Sequence, residues 1–216
     1  MSLFSFFSIF RKNNKSHWDK IYSAHSSEQL GWHQEYPEIS LELIVDTKLG
    51  FDAHIIDVGG GSSRLTELLF KKGYHNLTVF DISRQALHAA QQSLAEKAEE
   101  INWIEGDITS YIFDQQYDLW HDRAVFHFLT KADDRLKYLE TLNRTLSTNG
   151  HFIISTFSPE APPKCSGLPV VRYTLKSLQK EIGSEFELIN SKDEFHQTPT
   201  GTKQKFTYCY FKRTSR

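Results

Sequence analysis

Three consecutive glycines, Gly59, Gly60 and Gly61, close a short apolar run (53–58) and open a stretch of helical spacing. That order predicts strand, tight turn and helix. Glycine lets the backbone turn sharply and lets a ligand approach main-chain groups with no β-carbon in the way. In residues 62–72, Leu65, Leu68 and Leu69 fall on one face, and Gly73 is the stop. A helix starting at Ser62 would offer unpaired N–H groups to a carboxylate.

The alternation continues along the chain. Residues 77–80 read as a strand. Ser83 is placed to cap a helix reaching about residue 98 through Ala86, Leu87, Ala90 and Leu94. Strands follow at 101–104 and 117–120. Residues 132–146 read as a helix with Leu136, Leu139, Leu142 and Leu146 facing inward, ended by Asn149 and Gly150 as a left-handed cap. Residues 151–157 form an apolar strand and 174–182 a short helix. Residues 186–190 and 205–212 are strands with no helix between them, joined through Thr198, Pro199, Thr200 and Gly201. This is an α/β pattern. It predicts a Rossmann-like, doubly wound, mostly parallel sheet with helices on both faces and a C-terminal antiparallel hairpin.

Composition narrows the classes. The chain has 216 residues, 25 basic and 27 acidic, for a net charge of -2, so no global basic field calls for nucleic acid. Two cysteines make no disulfide framework, which fits a reducing, cytoplasmic location. Residues 1–10 are apolar and Phe-rich, with Arg11, Lys12 and Lys15 after them. That order is the reverse of a secretory signal, and the run is too short to span a bilayer. It reads as a tail or a packed strip of helix, or else as a weak membrane-surface or partner contact; no firm membrane association is expected. The basic residues Lys203, Lys205, Lys212, Arg213 and Arg216 read as a solvated edge, or as a surface for an acidic partner or RNA. The ten histidines show no metal-ligand spacing, so no metal is expected.

A glycine loop of this kind also serves dinucleotides, whose loop carries a third glycine where this chain has Arg64. No Walker lysine follows either. Two further acids sharpen the site. Asp81 ends the second strand, 20 residues after Gly61, where a carboxylate can accept both hydroxyls of a ribose; Asp107 follows the third strand. With Asp57 four residues before Gly61, the pattern D-x-G-x-G-x-S resembles motif I of the class I S-adenosylmethionine-dependent methyltransferases. The resemblance covers roughly residues 18–211.

The resemblance implies a seven-stranded sheet whose last strand is antiparallel, S-adenosylmethionine as cofactor, and in-line methyl transfer. It implies donor contacts at Trp18, Asp57, Gly59, Gly60, Gly61, Asp81, Ile82, Asp107, Ile108 and His121, with Asp107 accepting from the adenine amino group. The stretch from His17 to Tyr22, then Gly31 to Gln34, looks like the N-terminal lid of small methyltransferases acting on thiols, thiopurines, halides or tellurite. Residues 118–129, DLWHDRAVFHFL, resemble bacterial proteins known only as methyltransferases. The implied organisation is an N-terminal tail over 1–16 and a single methyltransferase domain over 17–216, with 17–50 as lid and helix.

On the acceptor side, His121, Asp122 and His127 are the catalytic candidates. His121 and Asp122 read either as groups that meet the donor and orient or deprotonate the acceptor, or as strand-end caps. His127 reads as a general base or as a packed core residue. Arg123 is placed to pair with Asp122 or to hold an acidic substrate. Cys165 reads as a buried small residue or a reactive thiol. The expected partner is a small-molecule methyl acceptor. The alternatives are a protein lysine methyltransferase acting on one folded partner, as the Trp-Asp-x-x-Tyr opening allows, or a non-catalytic protein that binds the donor.

Overall fold

The computed structural model describes residues 3–214, with side chains from residue 14 onward. The expected surface role of residues 1–10 and the contribution of Arg216 lie outside the described side chains. Helix α1 (Leu3–Ala24) is followed by a 3-10 turn (Ser27–Gln29) and α2 (Glu38–Asp46). Then come β1 (Ile55–Val58), α3 (Leu65–Lys71), β2 (Leu77–Asp81), α4 (Arg84–Leu94), β3 (Asn102–Glu105) and β4 (Tyr117–Arg123). The second half has α5 (Ala132–Thr145), β5 (Leu146–Phe157), a two-residue ribbon β6 (Lys164–Cys165) and β7 (Leu168–Pro169), α6 (Leu175–Ile182), β8 (Phe186–Gln197) and β9 (Lys203–Arg213).

Seven strands form one sheet in the order β3-β2-β1-β4-β5-β9-β8. β9 is antiparallel to both its neighbours, and the pairs from β3 to β5 are parallel. Strand alternation splits the core in two. Ile55, Leu119 and Ile153 join α2, α3 and α4 on one face. Ile56, Trp120, Phe152 and Ile154 join α5 and α6 on the other. The expected doubly wound sheet and its edge hairpin are therefore present. Chain order reverses between β1 and β4, and a ligand crevice opens beyond the carboxyl ends of strands at such a switch.

Local expectations differ in several places. α3 begins at Leu65, not Ser62, because a turn bonds Ser63 N–H to the Gly60 carbonyl first. β4 runs on to Arg123, so His121 and Asp122 lie within the strand. Asn149 is left-handed (φ 61°), but it sits in an irregular stretch of β5 and does not cap α5. Leu136 is 58% exposed, so the inward face of α5 is carried by Tyr138, Thr141, Leu142 and Thr145.

Gly59 takes a left-handed φ of 71°, and a β-carbon there would lie 2.1 Å from Val125 Cγ2. Gly167 is also left-handed but faces open space. Gly59→Ala is expected to destabilise the protein by about 3 kcal/mol, strain and clash together, and Gly167→Ala by about 1 kcal/mol, strain alone. Urea unfolding of the two variants checks the difference.

Candidate functional site

The glycine turn is built by close approach. A β-carbon at Gly60 would meet Asp57 Oδ2 at 2.5 Å, and one at Gly61 would meet Asp81 Oδ2 at 2.7 Å. Asp81 Oδ1 accepts from Ser83 N–H at 2.8 Å, and its Oδ2 accepts from Gly61 N–H at 3.2 Å. Ser83 caps α4 as expected, accepting from Ala86 N–H, and its hydroxyl donates to Asp19 of α1 at 2.8 Å. Lys15 pairs with Asp19 and with Glu105 at the end of β3. The N-terminal helix is thereby fastened over the second and third strand ends.

One cavity of about 340 Å³ lies under that helix. Gly59, Asp81, Ile82, Asp107, Ile108 and Val125 line one half. Asp107 Oδ1 accepts from the Thr109 hydroxyl and N–H. Trp18, Trp32, Phe128, Cys165, Leu168 and Phe206 also line the cavity, with the charged Arg123, Lys131 and Asp134 among the other lining residues. Trp18 meets Trp32 edge-on at 5.6 Å and Phe128 at 5.0 Å, and Tyr22 meets Trp32 at 5.8 Å. Trp18 and Tyr22 thus share one helix face, as their spacing predicts.

The three expected catalytic groups have other occupations. His121 is buried, with Nδ1 2.7 Å from Asp57 Oδ1 and Nε2 2.9 Å from Ser40 Oγ. A carboxylate only accepts, so Nδ1 donates to Asp57, while Nε2 is taken up by the Ser40 hydroxyl. Neither nitrogen is open to an acceptor, and His121 does not line the main cavity. Asp122 is buried and accepts from Val125 N–H, Phe126 N–H and the Tyr138 hydroxyl. It caps the turn after β4, and burial lifts its carboxyl to about 6. Arg123 does not pair with it. His127 is buried against Phe128 and Phe157, and its Nδ1 accepts from Phe157 N–H at 3.3 Å. Burial, with Arg123 nearby, pulls this ring down to about 3, which makes it a poor base.

Sequence reasoning missed Ser40 and the surroundings of Arg123. Ser40 is a small polar residue on the buried side of an apolar helix, and that mismatch is its only signal. Arg123 Nε donates to the Tyr208 hydroxyl at 2.8 Å and Nη1 to the Trp32 carbonyl at 3.0 Å. Its guanidinium lies 4.4 Å from the Phe206 ring centre. These partners come from β9 and the loop before α2, which only the folded chain brings together. His196 also reaches that loop, at the Gly31 carbonyl (2.9 Å). Among the described residues, no cluster of three or more His, Cys, Asp or Glu is placed to hold a metal, and no helix is long and apolar enough to cross a membrane.

Residues 55–150 match the family model described as a methyltransferase domain. The chain is 22% identical over 152 residues to the eEF1A lysine and N-terminal methyltransferase of Danio rerio, covering 68% of this chain and 22% of that protein. It is 26% identical over 148 residues to the malonyl-[acyl-carrier protein] O-methyltransferase of Priestia megaterium, covering 67% of this chain and 52% of that one. The chain therefore spans about a fifth and about half of these two curated relatives. The fold matches N-methyltransferase NodS from Bradyrhizobium japonicum WM9, solved with S-adenosyl-L-homocysteine, with a TM-score of 0.66 at 17% identity, over 83% of this chain and 89% of that one.

Burial lifts the Asp81 carboxyl from its ordinary 3.8 to about 7, against the two N–H groups that hold it down. A carboxyl raised in the folded state withdraws stability as pH climbs from about 4 to about 7, and the loss is complete above that. Asp81→Asn removes the titration. Its melting temperature, read without ligand from pH 5 to 8, is expected to change less with pH than that of the native protein.

Proposed function

We propose that the chain, whose residues 55–150 match a methyltransferase domain, is a class I, S-adenosylmethionine-dependent enzyme that methylates a small-molecule acceptor held in the aromatic half of the cavity. The observation that carries this is one cavity whose wall brings together Gly59, Asp81, Ile82, Asp107 and Ile108 with Trp18, Trp32, Phe128, Phe206 and the buried Arg123.

The residues present fit the donor. Three glycines leave no side chain between the turn and the ligand. Asp81, held by Gly61 and Ser83, is oriented to accept ribose hydroxyls. Asp107 and Ile108 suit the adenine, with Ile82 beside them. The buried Asp57 Oδ2 has no hydrogen-bond partner among the described residues, and it lies against Gly60 where a cationic amino group would satisfy it. His121 and Ser40 act through Asp57, fixing its carboxylate. Trp18, on the fastened helix, covers the site. When bound, the donor supplies a methyl group on a cationic sulfonium, already electrophilic. The protein's contribution is to position the two reactants and keep water out.

The likeness to a lysine methyltransferase supports a second reading, with a protein substrate. A lysine ammonium entering the aromatic half would meet Arg123, and like charges in a poorly solvated site repel. That favours the small molecule.

Titration calorimetry is expected to show S-adenosylmethionine binding, weakened at least about tenfold by Asp81→Ala, since hydrogen bonds to a charged group contribute roughly 1.5–3 kcal/mol. Labelled methyl groups offered to a cell extract are expected in the small-molecule fraction. A labelled protein band would overturn the acceptor assignment, and absence of donor binding would overturn the cofactor.

A further inference from the structure

Among the described residues that line the cavity, Arg123 is a buried cation and Lys131 an exposed one. Arg123 ends β4, with its side chain 10% exposed, and its Nη2 makes no hydrogen bond to a described residue. The nearest carboxylate is Glu194 on β8, with Oε2 3.5 Å from Nη2. That carboxylate is shared: Oε1 accepts from Gln34 at 2.5 Å and Oε2 from the Tyr208 hydroxyl at 3.0 Å. Arg123 lines the cavity and Glu194 does not. A ligand in the chamber therefore faces the cationic end of this pair. In a site of low dielectric such a charge acts over several ångströms.

The neighbours register it. Burial pushes the Cys165 thiol up, and Arg123 draws it back down. Burial lowers His127 and His196, and Arg123 lowers both further. Around the guanidinium stand Glu194 and His196 from β8, Tyr208 from β9, Cys165 from β6 and His127 from the turn after β4. Cys165 shares the chamber wall.

Among the described residues, the same region lacks a ready base. His121 and Asp122 are bound up in the scaffold, and His127 is a buried, neutral ring. Asp81 and Asp107 belong to the donor half. Asp134, also on the cavity wall, is partly exposed on α5 and lies 4.0 Å from Lys137.

We propose that the acceptor is a small apolar thiol or phenol that binds as its anion, and that Arg123 is the specificity residue that keeps it ionised. This rests on the donor reading above. The S–H or O–H proton passes to water, and the resulting anion stays beside the guanidinium. Its lone pair forms the new bond to the methyl carbon, while the electrons of the broken carbon–sulfur bond remain on the departing thioether. Both products are neutral at the reacting atoms, so the methylated acceptor loses its attraction to Arg123 and leaves. An amine would arrive as an ammonium ion and meet a like charge.

The test uses the full chain loaded with S-adenosylhomocysteine and 4-nitrophenol as probe, whose anion absorbs visible light. The bound probe is expected to ionise about 1 pH unit below the free probe, the effect of an opposite charge nearby. Arg123→Gln is expected to abolish this shift and Arg123→Lys to keep part of it. Glu194→Gln, which removes the balancing carboxylate, is expected to enlarge it, a direction that a purely structural role for the pair would not produce. With S-adenosylmethionine, thiophenol is expected to be methylated at least ten times faster than benzylamine. A probe that does not bind, that ionises alike free and bound in the native protein, or that responds to Glu194→Gln as to Arg123→Gln overturns the inference, as does a preference for benzylamine. Calorimetry with S-adenosylhomocysteine separates the two readings: donor binding without a probe shift overturns this inference alone, and no donor binding overturns the function as well.

Discussion

The 2.7 Å contact between His121 Nδ1 and Asp57 Oδ1 joins β4 to β1 where the strand order reverses. Both side chains are buried, so the bond forms with little competition from water. Ser40 extends it to α2. This buried chain sets the orientation of Asp57, and Asp57 lies so close to Gly60 that the turn admits no β-carbon. The crevice above the sheet owes its shape to that arrangement. Removing one partner would leave another buried and unsatisfied, which costs more than a lost surface contact.

A second set of contacts closes the crevice from above. Asp19 bonds to Ser83, the residue that caps α4 and whose N–H holds Asp81. Helix α1 and Asp81 thus share one short hydrogen-bonded chain. On the other side, Arg123 holds the Trp32 carbonyl and Gln34 holds Glu194. Trp32 packs against Trp18 and Tyr22, so the two fastenings meet in one aromatic cluster. A long edge hairpin, β8 with β9, supplies Glu194, Tyr208 and Phe206 to this second fastening.

The polar residues of β4 divide by strand alternation. His121 faces Asp57 and α2, and Asp122 faces Tyr138 of α5. Arg123, the last residue of the strand, turns toward the cavity. Three adjacent residues that look alike as a polar cluster therefore serve three separate surroundings. One bonds Asp57 and Ser40, one caps the next turn, and one lines the cavity.

Much of the sheet, the cap at Ser83, the edge hairpin and the glycine turn were legible in the order of residues. Each depends on neighbours close along the chain, through apolar periodicity, capping hydroxyls and glycine freedom. The placing of Asp57, Asp81 and Asp107 at or just after strand ends was legible for the same reason. The bonding partners of His121, Asp122 and His127 were not. A histidine offers the same two nitrogens wherever it stands, and only folding decides whether Ser40, 81 positions away, occupies one of them. Arg123 was open between two readings for the same reason. Its partners Trp32, Glu194, Phe206 and Tyr208 lie far from it in sequence, and burial among them makes its charge a property of the cavity. Local chemistry thus wrote the glycine turn and the strand-end acids into the sequence, while contacts between distant segments created the surroundings of Arg123.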